Sequence, residues 1–365
     1  MRKITYIFSR GRINRIIDDN YADDFFYGFR FLNKTNKFST NIIEFQNRNY
    51  FFLKIEHILS KIISLPLYIF SLINSKNIKK FKETDNLILV SESTGFAALP
   101  LLIILKKRYN IKTHMFVMGL YSKKINIKIL KPVHNYLIKF LIKYIDRIYF
   151  LGKNEFTIAS KSLGTSEKAV YSSFHIDTKF WQPKNLNLKE NKKILFVGND
   201  GNRDFNLLIN IAKKMQDKRF IFITSNEKIL KTNLSNVEII NGNWSYDTLS
   251  DTGLRDIYLS ARIVIIPLKN STQPSGQSVA LQSMSLGIPI IISKTIGFWD
   301  EELFVDEENI IFEQNGTVGS WELKINSLYH DVKKLQYLSK NSINLANKKF
   351  NLELFNNFLL RELDL

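Results

Sequence analysis

The chain alternates between short runs of apolar, β-branched residues and longer stretches in which apolar residues recur with helical spacing. Runs of the first kind are typical of strands that are buried on both faces of a parallel sheet. They occupy residues 3–8, 41–45, 87–90, 113–117, 146–151, 193–197, 220–224, 237–241, 263–268 and 288–292. Helices are predicted at residues 21–32, 101–107, 133–144, 154–163, 205–215, 249–260 and 277–286, and again from residue 322 to the end. The alternation of strands and helices predicts an α/β fold.

Two such alternating blocks follow one another along 365 residues, a length that accommodates two domains of ordinary size. The segment KAVYSSFHIDTKFWQP, residues 168–183, joins the two blocks. We therefore predict a Rossmann-like first domain over residues 1–178 and a Rossmann-like second domain over residues 179–345. A terminal helix over residues 346–365 is expected to return to the first domain.

Residues 262–300 carry the chain's most informative pattern. A strand, a polar loop, a helix and another strand follow each other there, so the loop lies at the carboxyl edge of the sheet, where open α/β folds bind ligands. Gly276, after Ser275, lets the backbone approach a ligand closely, and the amides of Gln277, Ser278 and Val279 form the positive end of the helix. The pattern predicts a phosphate site. An ordinary turn between strand and helix is the alternative.

The same stretch resembles the nucleotide-sugar signature of the family 4 glycosyltransferases, which are retaining enzymes with the two-domain GT-B fold. In that signature a glutamate, seven residues and a second glutamate are followed by small residues, a glycine, any residue and a proline. Met284, Gly287 and Pro289 match the signature, whereas Pro274 and Gln282 stand in place of the two glutamates. The resemblance implies GT-B architecture: two Rossmann-like domains whose parallel sheets face each other across a cleft.

The resemblance also implies roles for residues of the second domain. Asn199 and Arg203 stand where the family has an arginine and a lysine that are aimed at the donor diphosphate. The guanidinium of Arg203 suits phosphate, and a surface arginine without a partner is the alternative. Gln282 is expected to hydrogen-bond the ribose hydroxyls, which makes Arg203 and Gln282 the catalytic candidates. Gln282→Glu is expected to be tolerated, because it restores the family residue.

Further substrate contacts are expected in the first domain and at the junction between domains. Gly11 lies in the polar turn after the first strand, and Met118 and Gly119 follow the fourth strand. The family often has a His-Gly pair near the sugar at that second position, so Met118 replaces the histidine. His175 stands where the family hinge has a glycine. It is expected either to face the interdomain cleft or to serve the structure of the hinge.

The net charge of +18 falls entirely in the first half of the chain, where residues 1–184 hold 31 Lys+Arg and 13 Asp+Glu, against 21 of each in residues 185–365. A basic half is typical of proteins that bind nucleic acid, an anionic membrane or an anionic substrate. We find no nucleic-acid-binding motif and favour the membrane, with a lysine-rich compositional bias as the alternative. Residues 55–73, which are apolar and followed by lysines, predict either an amphipathic helix on an anionic bilayer or a core helix. Asp23 and Asp24 are interpreted as first-turn residues that complement a helix dipole, with a metal-binding pair as the alternative.

The chain has no cysteine, which excludes disulfides and thiolate metal sites. Taken with the resemblance, the sequence predicts a retaining glycosyltransferase that moves a sugar from a nucleotide-sugar to a glycan or lipid-linked acceptor in surface polysaccharide or lipopolysaccharide biosynthesis. No cofactor and no essential metal are expected, and the expected location is cytoplasmic, peripheral on the inner leaflet. A non-catalytic nucleotide-sugar-binding protein, which the missing glutamates favour, and a GT-B sugar-nucleotide epimerase are the alternatives.

Overall fold

The computed structural model describes residues 1–45, 50–123, 125–163, 167–184, 186–243 and 248–363. The chain forms two compact units. The N-terminal unit comprises Met1–Asp18, Phe26–Ser172 and Leu359–Leu365, and the C-terminal unit comprises Asp19–Phe25 and Ser173–Phe358. These units differ from the domains predicted at 1–178, 179–345 and 346–365 in three ways. The C-terminal unit begins at Ser173, it extends to Phe358, and it includes the short segment Asp19–Phe25. Only Leu359–Leu365 of the terminal segment belongs to the N-terminal unit.

The N-terminal unit is built on a six-stranded parallel sheet with the order β2-β1-β3-β4-β5-β6. Its elements are β1 (Arg2–Phe8), α1 (Arg12–Ile16), α2 (Phe29–Lys34), β2 (Phe38–Glu44), α3 (Tyr50–Ile63), α4 (Ser75–Lys82), β3 (Asn86–Leu89), α5 (Glu92–Tyr109), β4 (Lys112–Val117), α6 (Lys131–Lys143), β5 (Arg147–Phe150), α7 (Lys153–Leu163) and β6 (Ala169–Tyr171). All four residues of β3 are buried, as expected for a strand inside a parallel sheet.

The C-terminal unit has a second six-stranded parallel sheet, with the order β12-β11-β10-β7-β8-β9. Its elements are β7 (Lys193–Val197), α8 (Phe205–Lys214), β8 (Arg219–Thr224), α9 (Glu227–Leu230), β9 (Val237–Asn241), α10 (Asp251–Ser260), β10 (Ala261–Ile266), α11 (Gln277–Ser285), β11 (Ile290–Ser293), β12 (Ile311–Glu313), α12 (Val318–His330), α13 (Val332–Lys349) and α14 (Leu352–Glu362). The chain leaves β7 toward β8 on one side and returns as β10 on the other. The strand order therefore reverses between β7 and β10.

All ten predicted strands are confirmed, with bounds that shift by at most three residues. The prediction missed β6 and β12, because three residues are too few to show a period. A single helix over residues 21–32 was wrong. A 3₁₀ turn at Asp23–Phe26 precedes α2, and between them Tyr27 and Gly28 both take left-handed backbone angles, with φ of 48° and 77°, which no α-helix tolerates.

The apolar segment over residues 55–73 forms a helix only in its first part, since α3 ends at Ile63 and Ser64 takes a φ of 58°. Six apolar side chains of α3 are exposed: Phe51, Phe52, Leu53, Ile58, Leu59 and Ile62. Helix α3 is therefore not a core helix, whereas Leu65, Leu67 and Leu72, which follow it in the predicted segment, are buried in the core of the N-terminal unit. Within the described residues, no helix is both long enough and apolar enough to cross a membrane.

Candidate functional site

Two loops of the C-terminal unit meet where its strand order reverses. One follows β7 and the other follows β10, so both leave the carboxyl ends of neighbouring parallel strands, the position at which open α/β sheets bind ligands. The amide of Lys269 donates to the carbonyl of Asn202 at 2.8 Å, and the side-chain amide of Asn202 donates to Ser275 Oγ at 2.9 Å. The loops are thus held together as one surface.

Arg203, from the β7 loop, is buried at the centre of this surface with 3% of its area exposed. Its guanidinium fills the space that two glycines leave open. A Cβ at Gly198 would lie 2.2 Å from Arg203 Nε, and one at Gly276 would lie 3.0 Å from Nη1. The Nε lies 3.4 Å from the carboxylate of Asp200. The sequence prediction thus placed Arg203 and Gly276 in one site, and the structure brings them into contact.

The electrostatics of Arg203 favour an anion. Within the described residues, its Nε and Nη1 are buried and make no hydrogen bond. Burial lowers the pKa of the guanidinium, although the charge of Asp200 opposes that change. Arginine nevertheless keeps its proton in proteins, so the site holds a positive charge with unused N–H donors.

Helix α11 begins beside this guanidinium. Gly276 is its N-cap, with a φ of 85° and no side-chain cap, and the first hydrogen bond within the helix runs from Ala280 N to Gly276 O at 2.9 Å. The amides of Ser278 and Val279 precede that bond, so they have no partner within the helix. Gln277 and Val279 are buried, while Ser278 is half-buried. A helix N-terminus beside a buried arginine is suited to a phosphate or diphosphate group.

Asn199 lies in the same loop, but its side chain is used to hold the edge of the sheet. Its Nδ2 donates to the carbonyl of Gly242 at 2.6 Å. Its Oδ1 accepts hydrogen bonds from Thr224 Oγ1 at 2.9 Å and from Ser225 N at 2.6 Å. The side chain therefore connects the ends of β7, β8 and β9, and its immediate effect is to fix the loop that carries Arg203.

Gln282, near the middle of α11, is hydrogen-bonded to Asp24, a residue that the sequence pattern had not connected with this site. Its Nε2 donates to Asp24 Oδ2 at 2.8 Å. Asp24 also accepts from the Asp177 amide at 2.6 Å and from Trp181 Nε1 at 2.8 Å. Asp24 is only 3% exposed, and burial raises its pKa from 3.8 to about 7.

These contacts correct two expectations. Asp24 lies in the first turn of a helix, as predicted, although that helix is the 3₁₀ helix Asp23–Phe26. Its carboxylate is buried against the three donors and does not act chiefly on a helix dipole. Gln282→Glu is no longer expected to be harmless, since a second carboxylate would meet Asp24. The aromatic residues around Asp24 in the run YADDFFYGF were the sequence signal that it is buried. The sequence also did not predict that Tyr258 lies near this site, with a buried hydroxyl that makes no hydrogen bond to the described residues.

The predicted contacts of the N-terminal unit lie at the carboxyl ends of β1 and β4. Gly11, with a φ of 89°, is the N-cap of α1, and Glu44 accepts hydrogen bonds from the next two amides. Gly119 has a φ of 106°, and its amide donates to Glu155 at 2.7 Å. The amide of Met118 lies 3.5 Å from Glu92 Oε2. Acidic side chains therefore fix both loops by their backbone.

His175 belongs to the C-terminal unit and is packed rather than open. Its Nδ1–H donates to the carbonyl of Ser173 at 2.7 Å, and its ring centroid lies 6.4 Å from that of Phe350 and 5.7 Å from that of Phe355. Burial lowers the pKa of His175 to about 4. The imidazole is consequently neutral at physiological pH, and its contacts are those of a residue that packs the segment after β6.

Comparison with known proteins agrees with this geometry. Residues 177–345 match the family described as "Glycosyl transferases group 1". The whole chain is similar in fold to HepE of Anabaena, solved in complex with UDP-glucose, with a TM-score of 0.70, 13% identity and 100% of both chains covered.

Two further solved structures are similar. The sucrose-phosphate synthase of Thermosynechococcus elongatus has a TM-score of 0.69 and 13% identity, covering 100% of this chain and 99% of its own. A glycosyltransferase from Rickettsia africae has a TM-score of 0.61 and 12% identity, covering 99% and 97%. No curated protein matches the sequence. Two six-stranded parallel sheets and these neighbours identify the fold as GT-B.

Proposed function

We propose that this protein is a retaining glycosyltransferase that moves a sugar from a nucleotide-sugar donor to a glycan or lipid-linked acceptor in surface polysaccharide or lipopolysaccharide biosynthesis. The observation that carries the proposal is the buried Arg203, whose Nε and Nη1 have no hydrogen-bond partner within the described residues, beside the N-terminus of α11. The match of residues 177–345 to group 1 glycosyltransferases supports it. A nucleoside diphosphate has the charge and the acceptor oxygens that this arrangement lacks.

Each part of the site has a role in the proposed transfer. Arg203 binds the diphosphate and stabilises the negative charge that develops on it as the bond to the sugar breaks. The amides of Ser278 and Val279 stabilise the same charge from the helix end. Gln282, one helical turn beyond Ser278 on the same face, contacts the ribose. No essential metal is included in the proposal, because a guanidinium and a helix N-terminus already supply positive charge.

Binding of a nucleoside diphosphate to an Arg203→Ala variant tests the proposal. UDP, GDP and ADP are titrated in parallel by calorimetry, and the affinity of the one that binds should fall about 10- to 150-fold, which corresponds to about 1.5–3 kcal/mol for a charged hydrogen bond. Arg219→Ala, at the exposed start of β8, is the matched control and should keep the affinity. Equal affinity in the two variants would show that Arg203 does not contact the ligand.

A second candidate is a nucleotide-sugar-binding protein without catalysis. It is favoured by Pro274 and Gln282, which leave the helix of the site without the two acids of the resembled signature. Incubation with a panel of nucleotide-sugars separates the two candidates. Release of the nucleoside diphosphate over time supports the transferase, whereas tight binding of an intact donor, with no release in the presence of lipid-linked or glycan acceptors, supports the binding protein.

The proposal places the enzyme peripherally on the anionic inner leaflet of the cell membrane. Helix α3 supports this, because it is arranged opposite to a core helix. Phe51 is 63% exposed and Ile58 47% exposed, whereas Glu56 is 2% exposed and accepts a hydrogen bond from Phe70 N at 2.8 Å. An apolar helix face that points away from its own unit, in the basic half of the chain, is suited to a lipid surface.

Sedimentation with anionic vesicles tests this placement. The wild-type protein should bind at low salt and bind less as salt screens the charges. The triple variant Phe51→Ser/Ile58→Ser/Ile62→Ser should lose binding at both salt concentrations. Leu323→Ser, which changes a leucine that is 73% exposed in the C-terminal unit, is the control and should sediment like the wild type. Sedimentation of the triple variant at the wild-type level would exclude α3 as the contact.

A further inference from the structure

Asp24 lies far from Gln282 in the sequence, yet the two side chains are paired inside the C-terminal unit. The segment that contains Asp24, Asp19–Phe25, belongs to the C-terminal unit and is fixed in it by several contacts. The amide of Ala22 donates to Asp251 at 3.0 Å, and the amide of Thr252 donates to the carbonyl of Asn20 at 3.1 Å. The position of Asp24 is therefore determined by its surroundings and not by Gln282 alone.

The chemistry of the pair determines how the amide of Gln282 is turned. A side-chain amide has a donor end and an acceptor end, whereas an ionised carboxylate only accepts. Asp24 therefore selects the Nε2 end of Gln282, at 2.8 Å, and the Oε1 end is directed away from it. Trp181 and the Asp177 amide are further donors on the carboxylate. They favour the ionised form, which makes that selection.

We propose that Asp24 is a positioning residue of the donor site, which turns the amide of Gln282 so that Oε1 is presented as a hydrogen-bond acceptor to the ribose hydroxyls of the donor. The inference rests on the proposed function. Asp24, from the segment Asp19–Phe25, supplies the negative charge that Gln282 lacks. The pair thus presents an acceptor to the ligand, as a glutamate would, while the charge itself lies behind the amide.

The proposal makes the contact with ribose depend on pH. The pKa of Asp24 is raised to about 7, chiefly by burial. The hydrogen bonds from the Asp177 amide and Gln282 lower this pKa, and the charges of Asp251 and Asp177 raise it. Tyr258 on α10 also faces this group. When Asp24 takes up a proton, it can donate to Oε1 and no longer selects the Nε2 end. The preference for ribose hydroxyls should then weaken.

The test compares two probes that differ only in those hydroxyls, UDP and 2′,3′-dideoxy-UDP, with the guanosine or adenosine pair used if GDP or ADP is the nucleotide that binds. The wild-type protein should bind UDP about fivefold more tightly than the dideoxy probe, the factor that corresponds to about 1 kcal/mol for one neutral hydrogen bond. Asp24→Ala should bring this ratio close to one. Asp23→Ala removes the same charge from a half-buried neighbour and should keep the ratio.

A purely structural role would weaken the binding of both probes by the same factor, so an unchanged ratio in Asp24→Ala overturns the inference while the proposed function stands. If the variant does not fold, the wild type supplies the second measurement. Its ratio should fall as the pH is lowered from about 8.5 to 5.5, since the diphosphate titrates equally in both probes. A ratio independent of pH overturns the inference as well. Absence of binding of any nucleoside diphosphate to the wild type overturns the proposed function, and this inference with it.

Discussion

Replacing Gln282 by glutamate is the substitution for which the structure changes the expectation most. The resembled family has a glutamate at this position, and sequence alone therefore predicts tolerance. In the structure the new carboxyl would lie where Nε2 now donates to Asp24 at 2.8 Å. Both groups would be buried, with 3% and 5% exposure. Two carboxylates at that distance cannot both ionise at neutral pH.

The size of the effect follows from the proton that the pair must hold. Asp24 alone already ionises only near pH 7, since burial raises its pKa. In the unfolded chain a glutamate loses its proton near about pH 4.3. Keeping that proton in the folded protein at about pH 7.5 costs about 1.4 kcal/mol for each of roughly three pH units, or about 4 kcal/mol. Because the pKa is raised on folding, stability is retained below the unfolded pKa and lost as the pH rises.

Tryptophan fluorescence during urea unfolding measures this loss. All four tryptophans, at positions 181, 244, 299 and 321, fall within the residue range of the C-terminal unit, so the signal reports on that unit. Gln282→Glu should be destabilised at about pH 7.5 and approach wild-type stability near about pH 4.5. The double variant Asp24→Asn/Gln282→Glu should recover much of the loss, since an amide again faces a carboxylate.

Gln336→Glu adds the same charge at an exposed position of α13 in the C-terminal unit and serves as the control, with a change of less than about 0.5 kcal/mol. The reasoning fails if Gln282→Glu unfolds at the wild-type urea concentration at neutral pH. It fails equally if the destabilisation does not shrink toward acidic pH.

Three further predictions concern the loop after β7, which carries Arg203, and the loop after β4, which carries Gly119. Gly198→Ala should weaken nucleoside diphosphate binding as strongly as Arg203→Ala, because its Cβ would lie 2.2 Å from the Arg203 Nε. Gly201→Ala, which has no atom within 4 Å of its Cβ, is the control and should bind normally by calorimetry. Arg203→Met should raise the urea midpoint of the ligand-free protein by removing a buried charge with unsatisfied donors, while abolishing the stabilisation by nucleotide. Glu155, whose pKa is raised to about 7 chiefly by burial, loses its stabilising contribution as the pH rises from about 4.5 to 7. Glu155→Gln should remove this dependence, measured as amide hydrogen exchange at Gly119.

The strands were predictable because each is a short run of apolar residues with a clear end. Strands β7 and β9 agree with the prediction to the residue. The helix predicted over residues 21–32 failed for a local reason. Its apolar spacing suits a helix, but Tyr27 and Gly28 turn the backbone into the left-handed region. Tyr27 is buried, and its tertiary contacts override the helical pattern of the apolar residues around it.

The parts of the site that share one loop or one helix were also predictable, and those that depend on distant pairing were not. The order of strand, loop and helix placed Gly276 at a sheet edge, and the family resemblance assigned Arg203 to the same diphosphate site. Asp24 and Gln282 are separated by 258 positions, and no local pattern joins them. The buried environment of Asp24 was the missing information, because a sequence pattern shows an acidic residue but not the donors that surround it.

Asp24 and Arg203, two of the buried charged residues of the C-terminal unit, differ in a way that separates their proposed roles. Asp24 is surrounded by three N–H donors in the ligand-free protein, so protein groups already supply hydrogen bonds to both of its oxygens. Arg203 has buried N–H groups without a hydrogen-bond partner among the described residues, which is costly unless an acceptor arrives. A charged group whose hydrogen bonds are all made within the protein helps to fix the shape of a site. A charged group with unsatisfied hydrogen bonds can make the remaining ones with a ligand. This difference supports the proposed roles of Asp24 in positioning and of Arg203 in binding.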